Sequence, residues 1–121
     1  MLIERKKDSF HNLEFEVDLR DYGKVDADIS EITFLIKENA TDSDDSLFRK
    51  RLSQTEISKT ANTDGDIIQV SVQWPSDEYG QFTLDKEYQA GLFLQFTGDD
   101  NHDENVDESF TVKVIQDFIQ S

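Results

Sequence analysis

Apolar and polar residues alternate along most of this chain with the two-residue period of a half-buried β-strand. Leu13, Phe15, Val17 and Leu19 are separated by Glu14, Glu16 and Asp18. Asp21-Tyr22-Gly23 reads as a turn. Ile29, Ile32, Phe34 and Ile36 belong to a second strand that turns Thr33, Leu35 and Lys37 outward. The polar stretch Asn39 to Ser46 reads as a loop, Leu47 to Leu52 as a short strand, and Ile57 marks another. Asp64-Gly65 is a hairpin signal, after which Ile68, Val70, Val72 and Trp74 alternate with Gln69, Ser71 and Gln73. Pro75 stops that strand, because proline cannot donate to a ladder. Tyr79-Gly80 marks a turn in the connection Ser76 to Lys86. Tyr88, Ala90, Leu92, Leu94 and Phe96 share the next face, with Phe93 on the other side. Gly98 to Glu108 reads as an acidic loop, and Phe110, Val112 and Val114 form the last strand. Ile115, Phe118 and Ile119 carry apolar character to the end.

About six or seven strands at even spacing predict an all-β sandwich or barrel. No linker-like composition divides the chain, so residues 1–121 read as one domain. Trp74 is in phase with Ile68, Val70 and Val72, which predicts a core position.

Charge narrows the partners. The chain carries 27 acidic against 12 basic residues, a net charge of −15. Phosphate backbones and anionic lipids need clustered Lys and Arg, so neither nucleic acid nor membrane is an expected partner. There is no Cys, hence no disulfide and no thiol chemistry. Apolar content is low at 36%, but aromatics reach 11% and fall in patterned runs, which predicts a fold rather than disorder. The start, Met1 to Lys7, lacks the apolar core of a signal peptide, and no apolar run is long enough to span a membrane.

Candidate chemistry is sparse. In the acidic stretch, Asp99, Asn101 and Asp103 match the first three ligand positions of an EF-hand calcium loop. Glu104 then occupies the position that needs glycine, and Phe110 the position of the bidentate Glu, so the competing expectation is a solvated hairpin loop. Asp42, Asp44 and Asp45 form a second acidic cluster that reads as a turn-rich loop. His11 and His102 are the only histidines, and neither has an evident fixed partner. No nucleophile elbow, P-loop or dinucleotide fingerprint is present, and no enzyme activity is expected. Arg49, Lys50 and Arg51 make a basic island, and with Arg5, Lys6 and Lys7 they hold half of the basic residues. That island reads either as an interface to an acidic neighbour or as a charged edge strand that resists pairing. Phe93, Leu35 and Phe118-Ile119 are candidates for the apolar centre of such an interface.

One ordered set of motifs adds a family resemblance. Asp28-Ile29-Ser30-Glu31-Ile32-Thr33-Phe34-Leu35-Ile36-Lys37 is followed by Asp42-Ser43-Asp44, then Phe48 to Lys50, Gly65 to Val72, Leu84 to Gln95 and Phe110 to Asp117. In this order, over residues 10–117, the chain resembles the Ig-like β-sandwich domains of bacteriophage and prophage tails, baseplates and related particle components. It departs from them at Leu84-Asp85-Lys86-Glu87-Tyr88, where the family often has a glycine, and in its longer acidic stretch before the last strand. The resemblance implies an antiparallel, Ig-like sandwich of about seven strands. It further implies a virion component, assembled in the host cytoplasm, whose partners are itself and other virion proteins, with no cofactor and no catalytic residues. The rival expectation is a carbohydrate- or host-surface-binding module, assisted by calcium at the acidic loop.

Overall fold

The computed structural model describes residues 2–38, 47–98, 103–105 and 111–116, with backbone alone for 103–105. Among the described residues nine strands form: β1 (Leu2–Lys6), β2 (Leu13–Asp18), β3 (Ile29–Lys37), β4 (Phe48–Arg51), β5 (Ile57–Ala61), β6 (Ile67–Val72), β7 (Glu87–Phe96), β8 (Asp103–Asn105) and β9 (Thr111–Ile115). One sheet has the order β1-β9-β7-β3-β4, with β8 also beside β7, and the other has β2-β6-β5. The orders β9-β7-β3-β4 and β2-β6-β5 correspond to G-F-C-C′ and B-E-D of an immunoglobulin-like sandwich.

Period two explains the core. β3 sends Ile32, Phe34 and Ile36 inward, β6 sends Ile68, Val70 and Val72, β7 sends Leu92, Leu94 and Phe96, and β9 sends Val112 and Val114. Each fully buried side chain of this kind contributes roughly 1.5–3 kcal/mol. Trp74 is fully buried as expected, packed on Phe48, Tyr79 and Phe82. The Asp64-Gly65 signal becomes the turn between β5 and β6, with Gly65 at φ +75° and its N–H donated to the Asn62 carbonyl. The turn before β7 manages without glycine because Asp85, a residue that tolerates the left-handed region, takes φ +65° there. Tyr88 then closes the corner, its buried hydroxyl accepting the Thr83 N–H at 2.7 Å. This is the tyrosine corner of immunoglobulin-like folds.

The structure differs from the sequence-based expectation in three places. Residues 2–6 form a strand, parallel to β9 in register from Leu2↔Thr111 to Lys6↔Ile115, so the sandwich is not wholly antiparallel. The pattern hid it because Arg5, a charged residue, occupies an inward position. Second, the expected Gly98–Glu108 loop contains β8, paired with Phe93, Leu94 and Gln95. Third, the described residues hold nine strands rather than about seven.

Candidate assembly face

The outer face of β3, β4 and β7 gathers the outward residues of three strands. In register, Leu35 lies opposite Arg49 and Gly91, and Thr33 opposite Arg51 and Phe93. Thr33, Leu35, Arg49, Arg51 and Phe93 line one groove of about 310 Å³. Gly91 lets the Phe93 ring lie flat along the sheet: a Cβ at Gly91 would stand 2.6 Å from Phe93 Cε2. Leu35 and Phe93 are half-buried, Arg49 is exposed, and the buried Nε of Arg51 has no hydrogen-bond partner among the described residues.

Glu31, on the same strand, is held beside this face. Its carboxylate accepts hydrogen bonds from the Ser53 N–H at 3.0 Å, the Ser53 hydroxyl and the Ile32 N–H at 3.1 Å. Burial pushes its pKa up. The Ser53 and Ile32 bonds and the nearby Arg51 charge outweigh that, so it ends below the usual carboxylate value.

The basic island does not act as a unit. β4 alternates, so Phe48 and Lys50 turn inward while Arg49 and Arg51 turn outward. Lys50 is 7% exposed. Its Nζ lies 2.8 Å from Glu78 and 3.5 Å from Glu56, and it sits over the Phe48 ring. A buried ammonium paired in this way is part of the sandwich, so Lys50 leaves the candidate interface, and Arg49, Arg51 and Phe93 remain together.

A second polar cluster closes one end of the sandwich. Arg5 Nε donates to the Tyr79 hydroxyl at 2.7 Å, and its Nη2 donates to the carbonyls of His11 and Trp74. The guanidinium lies over the Trp74 ring, which stacks on Tyr79. The Tyr79 hydroxyl in turn donates to the Ser9 carbonyl at 3.0 Å. Burial pushes the Tyr79 phenol up, opposed by the hydrogen bond and charge of Arg5. These contacts clamp residues 7–12 from inside. On their outer side Phe10 is 74% exposed, its ring tilted against that of His11 above a cleft lined also by Lys6, Lys7 and Ser9.

The other sequence candidates fall elsewhere. Asp99, Asn101, His102, Phe110, Phe118 and the cluster Asp42, Asp44 and Asp45 lie outside the described residues. Of Asp103 and Glu104 only the backbone, in β8, is described. Among the described residues no three His, Asp or Glu side chains are grouped to hold a metal ion. His11 belongs to the segment before β2, and its carbonyl, not its imidazole, meets Arg5. The parallel register of β1 places the Phe10–His11 shelf where β9 ends, whereas the acidic stretch precedes β9. Sequence reasoning missed Arg5 and Glu31. The signal for Arg5 was its two-residue spacing from Ile3, and for Glu31 there was none, since its partner Ser53 is remote in the chain.

No model of a known protein family matches the chain, and no curated protein matches it either.

Proposed function

We propose that the chain is a structural component of a bacteriophage or prophage particle, at a tail, baseplate, connector or capsid-associated position, acting by protein–protein assembly rather than catalysis. The observation that carries this reading is the outward patch of Arg49, Arg51, Leu35 and Phe93 in a chain of net charge −15. An apolar centre flanked by two arginines suits an acidic protein surface: the ring and Leu35 supply burial, and the guanidiniums set register and exclude basic partners. The ordered motifs of residues 10–117 support the particle context. Its partners on this reading are other virion proteins and further copies of itself.

The test is composition. Particles released by the cell that encodes the chain should contain it in fixed ratio to the major structural proteins, measured by quantitative mass spectrometry. A chain carrying Arg49→Glu with Arg51→Glu should fold and be left out of those particles. Purified particles without the wild-type chain would refute the reading.

A further inference from the structure

The outer faces of the two sheets carry opposite charge at the same pitch. On β4, Arg49 and Arg51 stand two residues apart, and on β2 so do Glu14 and Glu16. Two residues of strand span about 6.6–7 Å in either case. Both glutamates are exposed and fixed. Glu14 accepts from the Ser71 hydroxyl at 3.0 Å and Glu16 from the Gln69 amide at 2.9 Å, each across the β2–β6 register. A carboxylate holding one such bond retains acceptor capacity for a guanidinium. The layout agrees too: each charged row lies on a terminal strand of its sheet order. Inward from the Arg row come Leu35 and then Phe93. Inward from the Glu row come Gln69 and Ser71 and then Ser58 and Thr60, polar side chains that let an opposing apolar pair approach.

We propose that the Arg49–Arg51–Phe93 face of one copy docks on the β2-β6-β5 outer face of a second copy, head to tail. This inference rests on reading the patch as an assembly surface, and it names the occupant. Docking patch to patch would set arginine against arginine, so the two-fold arrangement is disfavoured. A contact between two different faces leaves one of each unused and propagates, giving a ring if it closes and a filament if it does not.

Charge exchange between two variants tests it, with mass measured by light scattering after size exclusion. Arg49→Glu/Arg51→Glu and Glu14→Lys/Glu16→Lys each oppose like charges, so each alone should run as a 14.0 kDa monomer. Mixed in equal amounts they restore opposite charges at every contact, and assembly should return. Circular dichroism checks that both fold. Should either fail, Glu14→Gln/Glu16→Gln replaces it, and the association constant should fall at least about tenfold. Three results would overturn the proposal: a wild-type chain that stays monomeric at every concentration, a Glu14→Lys/Glu16→Lys variant that assembles like the wild type, or a mixture that stays monomeric. None of them touches whether the chain is found in particles, so the two readings fail separately.

Discussion

Arg5 shows how much one side chain can organise. It stands at an inward position of β1 where an apolar residue would be expected. Burying a guanidinium is costly unless its donors are met. Here they reach Tyr79, His11 and Trp74, and the cation lies over the indole ring. Replacing Arg5 by Ala would leave a cavity and take a donor from two carbonyls and from the Tyr79 hydroxyl, which keeps its bond to the Ser9 carbonyl. Arg5→Ala should therefore cost about 2–4 kcal/mol, read as a lower urea midpoint at unchanged slope. A loss under half a kcal/mol would mean that the cluster contributes little. Lys50 makes the same point in β4. Its charge belongs to Glu78 and Glu56, while those of its neighbours face out.

At the scale of the element, β7 carries both faces of the sandwich. Tyr88, Leu92, Leu94 and Phe96 pack the core, and on the opposite face Phe93 lies over Gly91. Glycine inside a strand is unfavourable to stability by roughly 0.5–1 kcal/mol relative to alanine, and here it makes room for the ring. Gly91→Ala should thus leave the melting temperature unchanged or slightly higher, since the obstructed group is a side chain free to swing away. Assembly or particle incorporation should fall, because Phe93 no longer lies flat. A variant that assembles normally would show that the ring's placement is incidental. This pair was partly legible beforehand. The outward phase of Phe93 followed from its neighbours, but the covering of Gly91 depends on a rotamer that pattern alone does not specify.

For the whole molecule, the balance is between general repulsion and a local match. At net charge −15, copies repel one another at long range, and the Arg-to-Glu contact must overcome that. The two effects are screened at different salt. The Debye length is about 10 Å at 0.1 M and about 3 Å at 1 M, so moderate salt removes the long-range term before the close pairs. Average mass should therefore rise as salt is added to about 0.1–0.2 M and fall towards 1 M. The Arg49→Glu/Arg51→Glu variant should lack the fall. A mass that only rises with salt would assign assembly to apolar contact alone.

The sequence by itself determined which residues face inward along β2, β3, β6 and β7 and where the turn at Gly65 falls. Those are local consequences of the two-residue pleat and of turn chemistry, and they made the all-β fold legible. Only the tertiary structure decided what lies beside what. β1 was hidden because its inward guanidinium is hydrogen-bonded by Tyr79, seventy-four positions away. The basic island was divided because β4 pairs with β3 along one edge and buries alternate side chains. Arg49 and Phe93 line one groove because β4 and β7 flank β3 in the sheet. The opposite signs of the two outer faces follow from which strands enter which sheet. Strand pairing is a long-range choice among many compatible edges, and periodicity carries no record of it.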